Sequence, residues 1–313
     1  MRDRKLDLAA RAAWLYYVAN NTQDEIATKL NVSRQAAHRL VSLAVAHKLI
    51  RHRLDHPLAS CVELAESIRT RFELTYCDVA PSDPEPQDSI ANVGDCAAAC
   101  LESYLASRTP TVVALSSGRA LRETVSRVPP MNQPQHKIVS LQGHMGEDGR
   151  ASHYEVVMNL ADRINAQAYL LSSPVLARSA EERAYVRRQR SFVAVQALVK
   201  QAKVAFVGIG EVIWHGPLHR DGFYTDADVA ELLERSAVGA ILAWAYDAQG
   251  RLIPCSINDR VAGMSLDMLP PSRTIGVACG ASKVAAIAAA VRGRLISGLI
   301  TDEATARLIL DAV

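Results

Sequence analysis

Residues 22–40 read TQDEIATKLNVSRQAAHRL, and the spacing of their polar and apolar side chains decides the first part of the fold. Thr22 is a helix N-cap by type, and Glu25 stands where its carboxylate can return to the Thr22 amide, the reciprocal arrangement that opens a short helix over Gln23–Lys29. The chain then turns at Leu30-Asn31-Val32, with Asn31 able to take the left-handed backbone that a tight turn asks for. Ser33 caps a second helix running through Gln35, Ala36, Leu40 and Leu43 to about Ala46. Ile26, Leu30, Val32, Ala37 and Leu40 fill the space between two helices crossing steeply, and Ala27 is small where they press together. Upstream, Leu8, Ala12, Leu15 and Val18 or Ala19 mark one stripe of a preceding helix over Leu6–Val18.

The second helix of the pair turns Ser33, Arg34, Gln35, His38 and Arg39 to solvent. Arg bonds guanine edges in two places, Gln does so with adenine, and Ser bonds phosphate, so this face suits a major groove. Thr22 and Gln23 join the set expected at the DNA. After it, Lys48–Leu54 is read as a strand turned at Asp55-His56-Pro57, a small wing that lays Arg51 and Arg53 on the sugar-phosphate backbone. Charge agrees: residues 1–60 hold ten Lys and Arg against five acids, a net +5, while the rest holds 25 against 28, a net −3. A basic head on a mildly acidic body fits one polyanion-binding end and a separate second task.

At 313 residues, 49% hydrophobic and 22% charged, the chain is long for one core and too apolar to be disordered. Two domains are expected: a winged helix-turn-helix over 1–57 and a second domain over 58–313. No apolar stretch reaches the roughly 18–20 residues of a bilayer span, and the start runs into no leader-type block, so a cytoplasmic protein with no membrane partner is expected. Six cysteines (Cys61, Cys77, Cys96, Cys100, Cys255 and Cys279) form no paired metal-ligand spacing. Reduced thiols, no structural metal and no cofactor are expected.

From Cys61 onward strands alternate with helices, the pattern of an α/β domain with a largely parallel sheet. Helices are read over Val62–Phe72, Ile90–Ala106 and Ala120–Val128. Strands are read over Leu74–Val79, Thr111–Leu115, Lys137–Leu141, Ala168–Leu171, Val204–Gly208 and Thr274–Ala278. Their C-terminal ends fall on one edge, where ligands gather. Ser116, Ser117, Gly118 and Arg119, with Gln142 and Gly143, Gly208 and Gly210, Asp247, and Lys283 form the candidate ligand set. Arg119 and Lys283 supply cations, and the serines and Gln142 supply hydroxyl and amide groups, which together suit a phosphate and a polyol tail.

These residues resemble the SorC-type sugar-binding transcriptional regulators. The resemblance covers nearly the whole chain and rests on the helix-turn-helix Gln23–Leu40, on Val207-Gly208-Ile209-Gly210, and on the terminal blocks Gly276–Val284 and Leu299–Ala306. The start Leu8–Leu15 is similar to that of the polyol branch, which includes erythritol regulators. The resemblance implies a Rossmann-like body of the ribose-phosphate isomerase and glucosamine-phosphate deaminase type, used as a sensor. Its expected partners are double-stranded operator DNA, a small phosphorylated sugar or polyol, and further copies of the chain in a dimer or tetramer. Gly239–Asp247 departs from the family pattern: Ala240 replaces an acid, Ala243 a glycine and Trp244 an arginine. The expectation is an altered ligand preference, with Trp244 narrowing the space. Ala120, after Gly118-Arg119, and Gln142-Gly143-His144 also depart from the pattern. Two other functions use the same features. One is a sugar-phosphate isomerase or deaminase drawing on His144, Glu147, Asp148 and Asp247, which leaves the basic head without a purpose. The other is a DNA-binding protein whose body only assembles copies.

Overall fold

The computed structural model describes residues 4–47, 49–50, 59–82, 86–145 and 155–312. The chain divides into two compact units, 1–57 and 58–313. The first holds α1 (Arg4–Tyr17), α2 (Gln23–Leu30) and α3 (Arg34–Ala46). Thr22 accepts from the Glu25 amide while the Glu25 carboxylate accepts from the Thr22 amide, so the capping box is complete. Asn31 ends α2 in the left-handed conformation at φ 51°, and the Ser33 hydroxyl accepts from the Ala36 amide to start α3. Ala12, Ile26, Ala37 and Val41 are buried together, with Leu15, Ala27, Leu30, Val32 and Leu40 packed against them. A second small cluster, Ala9, Ala13 and Ala44, joins α1 to α3. Beyond α3, Leu49 and Ile50 are not in a strand, and the rest of the expected wing, Arg51 and Arg53 included, lies outside the described residues.

The second unit runs α4 (Ala59–Arg71), β1 (Tyr76–Ala80), α5 (Pro86–Leu105), β2 (Val112–Leu115), α6 (Arg119–Arg127), β3 (Lys137–Met145), α7 (Val156–Ile164) and β4 (Gln167–Pro174). It continues through α8 (Ala180–Arg187), α9 (Arg190–Val199), β5 (Val204–Gly208), β6 (Gly210–Glu211), α10 (Pro217–Arg220), α11 (Asp226–Glu234), β7 (Gly239–Ile241) and β8 (Trp244–Tyr246). It closes with α12 (Ser256–Arg260), β9 (Thr274–Val277), α13 (Val284–Arg292), β10 (Gly298–Asp302) and α14 (Glu303–Asp311). Seven parallel strands form the main sheet in the order β1-β10-β9-β5-β2-β3-β4.

Alternation along the strands builds a layer on each face. Val113, Leu115, Val204, Phe206, Ile275 and Val277 point to one core, shared with Leu101 of α5, Leu121 of α6 and Leu160 of α7. Ala114, Val139, Ala205, Val207 and Leu299 point to the other, shared with Ile68 of α4, Phe192 of α9, Ile287 of α13 and Ile309 of α14. Each fully buried side chain of this size contributes about 1.5–3 kcal/mol of hydrophobic stabilisation.

The strand order fixes where a ligand fits. From β2 the chain moves outward through β3 and β4, then returns to the other side of β2 as β5 and moves outward again through β9 and β10. Connections leave β2 and β5 in opposite directions, so a crevice opens above their C-terminal ends. The small antiparallel sheet β6-β7-β8 begins one residue beyond β5, at the same edge.

Strand β3 continues past the expected end at Leu141 to Met145, because the β3–β4 register shifts twice between Val139 and Met145 and the bulged strand keeps its pairing. A side chain at Gly143 would stand 2.2–2.3 Å from the carbonyl oxygens of Ser173 and Pro174. Gly143 therefore serves strand pairing. Trp244 corrects another expectation: the residue is 8% exposed, lies within the core and donates its indole N–H to the Met264 carbonyl, so it fills the interior rather than narrowing an open crevice. Ala240 is buried beside it in the same small sheet.

Candidate functional site

In the first unit, Ser33, Arg34, Gln35, His38 and Arg39 are all exposed at the start of α3, on the face opposite Ala37 and Val41. The cap at Ser33 and the turn at Asn31 fix the direction in which that face projects. Arg34 lies 3.5 Å from Asp24 in a surface pair, which screening in salt makes weak and easy to exchange for phosphate or a base edge. Thr22 is exposed but engaged in its capping box; Gln23 is half-buried at the first position of α2.

In the second unit, the loops after β2, β5 and β9 stand side by side because those strands are neighbours. Gly118 caps α6 at φ 137°, and Gly280 precedes the turn Ala281–Lys283 at φ 115°; both are backbone conformations that side chains rarely adopt. Among the described residues, and apart from each glycine's own chain neighbours, no atom lies within 4 Å of where a Cβ would stand at either one. Two glycines therefore leave open space above the amides that begin α6 and the turn into α13, where partial positive charge favours an anion. Arg119 is exposed at the first position of α6.

Ser116 has a different part. It is buried; its hydroxyl accepts from the Gly208 amide at 3.0 Å and faces the Ser117 carbonyl at 3.3 Å, tying the β2 loop to the β5 loop. A side chain at Gly208 would begin 3.6 Å from the Ser117 carbonyl oxygen, and one at Gly210 3.7 Å from that of Ala240. Ser117 and Gln142 are half-buried at the same edge. Lys283 is not a solvated helix charge: its ammonium donates to the Ile209 carbonyl at 2.9 Å and lies 3.8 Å from the Glu211 carboxylate. Burial holds its pKa below the usual lysine value, Glu211 opposes that, and the Arg119 charge adds to the lowering, which places both cations within electrostatic reach of one another.

Asp247 does not join this group. Its carboxylate accepts from the Gln249 and Arg251 amides and pairs with the Arg251 side chain, closing its own turn. That turn packs on the far end of α13, where Arg292 bonds the Ala248 carbonyl; Lys283 precedes the near end, about 13 Å away along the helix axis. Glu147 and Asp148 lie outside the described residues. Gly280 was expected at the sheet edge where ligands gather but outside the named ligand set, and Glu211 had no expected part.

The opposite edge of the sheet carries a groove of about 870 Å³ bordered by Thr75, Ser103, Thr109, Lys203 and Arg273. It lies beside the C-terminal ends of α5 and α9, whose partial negative charge disfavours an anion, and it faces away from the switch point. The thiols are all unpaired; burial pushes Cys96 up to about 12 and Cys100 and Cys279 to about 11, which keeps them protonated at neutral pH. Among the described residues no group of His, Cys, Asp and Glu fits a metal ion, and no helix is long and apolar enough to cross a membrane.

Residues 56–311 match the family described as "Putative sugar-binding domain". The chain is 30% identical over 310 residues to the erythritol catabolism regulatory protein EryD of Brucella abortus (strain 2308), covering 99% of this chain and 98% of that protein. It is 27% identical over 316 residues to the deoxyribonucleoside regulator of Bacillus subtilis (strain 168), covering 99% of each. The crystal structure of the full-length sorbitol operon regulator SorC from Klebsiella pneumoniae superposes with a TM-score of 0.78 at 25% identity, covering 99% of this chain and 100% of that one. With the helix-turn-helix at one end and the α/β body at the other, the chain belongs to the SorC family of sugar-binding transcriptional regulators.

Proposed function

We propose that this chain regulates transcription of a carbohydrate or polyol catabolic operon, binding operator DNA through α3 and sensing a phosphorylated sugar or polyol in the body. The observation that carries the reading is the pair of open glycines, Gly118 and Gly280, flanking Arg119 and Lys283 at the switch point of the sheet. The phosphate lies on the α6 amides with Arg119 beside it, and the hydroxylated tail runs over Ser117 and Gln142 and past Gly208 and Gly210. The relatives are named for erythritol, deoxyribonucleosides and sorbitol, which supports a hydroxylated ligand, and the cations Arg119 and Lys283 at the helix-starting amides support a phosphate on it. The body is a sensor without turnover, and copies of the chain pair so that two α3 helices meet two half-sites. Domain boundaries follow 1–57 for DNA and 58–313 for the ligand.

The test is a mobility-shift assay on genomic fragments, with D-erythritol 4-phosphate, sorbitol 6-phosphate and 2-deoxyribose 5-phosphate in turn. Sequence-selective retardation that one ester changes about tenfold is expected, equal to about 1.4 kcal/mol of coupling between the sites. DNA changes the affinity for that ester by the same factor. Retardation of all fragments alike at physiological salt refutes the assignment of α3.

A further inference from the structure

The candidate site contains one acid for which the phosphate reading has no use. Glu211 ends β6 with its side chain 9% exposed, and its Oε2 accepts no hydrogen bond among the described residues. A carboxylate buried to that depth persists only beside a compensating cation. Here the cation is Lys283, 19% exposed, whose ammonium stands 3.8 Å from Oε2 and is anchored on the Ile209 carbonyl at 2.9 Å. Gly210 pairs with Ala240 and Glu211 with Gly239, so the acid is held by sheet pairing rather than by a loop.

Among the described residues the groups acting on Lys283 divide by sign. Burial and Arg119 favour the neutral amine; Glu211 favours the ammonium; the Cys279 thiol, protonated at neutral pH, brings no charge. Without Glu211, the two largest remaining influences both remove the charge. We propose that Glu211 is a positioning residue for Lys283, fixing the ammonium against the Ile209 carbonyl and keeping it charged at the edge where an anionic ligand arrives. Glu211 touches no ligand in this account; it acts through the lysine. The consequence for binding rests on the effector reading above, whereas the pair itself does not.

The full-length, ligand-free protein is labelled with acetic anhydride over a range of pH, and each lysine is followed by peptide mass spectrometry with exposed Lys200 as internal reference. In Glu211→Gln, Lys283 becomes about tenfold more reactive near pH 8 relative to wild type, the change that one unit of pKa produces. Glu211→Asp, which keeps the charge but shortens its reach, gives a smaller increase and decides the question if the glutamine variant does not fold. In parallel, affinity for D-erythritol 4-phosphate is measured against pH. The glutamine variant loses affinity on going from neutral to mildly alkaline pH while wild type holds. Equal Lys283 reactivity in wild type and both variants overturns the proposal. A reactivity shift with no phosphate ester bound by either protein upholds the pair and overturns the effector reading.

Discussion

Ser116 offers the sharpest separation between scaffold and ligand contact. Its hydroxyl accepts from the Gly208 amide at 3.0 Å, and the residue is 2% exposed, so Ser116→Ala removes the acceptor while almost no water reaches the gap. A net hydrogen bond is worth about 1 kcal/mol, and an unsatisfied buried donor costs about 1–3 kcal/mol. Gly208 is half-buried, which moderates the penalty, so the expected loss is about 1.5–2 kcal/mol. For a unit of this size that lowers Tm by about 3–8 °C. Thermal and urea unfolding of the ligand-free protein measures it, with Ser117→Ala as control, a half-buried residue one step along the same loop whose change is expected to stay within about 0.5 kcal/mol. If Ser116 served the ligand instead of the loops, Ser116→Ala would melt with wild type and only ester affinity would fall. That outcome refutes the strap.

Three further outcomes are expected. Thr22→Ala breaks the capping box and costs the first unit about 1 kcal/mol, read as a lower melting point of its helical circular dichroism. Arg34→Ala or Gln35→Ala flattens the preference between operator and mismatched DNA, whereas Arg51→Ala or Arg53→Ala, placed on phosphates from the sequence, weakens all DNA and reduces the slope of log affinity against log salt by about 1 each. Glu231, held below the usual carboxylate pKa chiefly by the Ser256 hydroxyl, accepts from that hydroxyl and from the Ser256 amide and links α11 to α12. Because the folded state depresses this pKa, its contribution is fully present above the unfolded value and fades as pH falls through the folded one. Glu231→Gln therefore lowers stability at neutral pH and makes acid unfolding between about pH 5 and 3 less steep, by the linkage of protons to folding.

Local chemistry was legible in the sequence; distant pairing was not. The Thr22–Glu25 box, the turn at Asn31 and the cap at Ser33 each involve partners three or four residues apart, so residue types alone announced them. The strands β2, β5 and β9 were visible as short apolar runs with polar ends. Strand β10, five fully buried residues, carries no alternation to mark it as a strand, and it entered only within a block of family resemblance. The continuation of β3 to Met145 depends on a bulge against β4, which nothing in Gln142-Gly143-His144 announces. Asp247 is the local exception: Arg251 stands only four residues on, but a charged pair at that spacing outside a helix does not announce the turn that it closes. Glu211 was passed over because Lys283 reaches it only through the adjacency of β5 and β9.

The pairing of β1 with β10, from Tyr76↔Gly298 to Ala80↔Asp302, has a consequence for biosynthesis. The first strand of the body stays unpaired at the ribosome until β10 has been made, since among the described residues β10 is its only neighbour in the sheet. The three opening helices close on contacts drawn from some fifty consecutive residues, so they are complete early. A nascent chain therefore carries a closed three-helix unit well before it possesses a sensor, and a chain cut short of β10 keeps an open sheet edge, a species prone to aggregate rather than to respond.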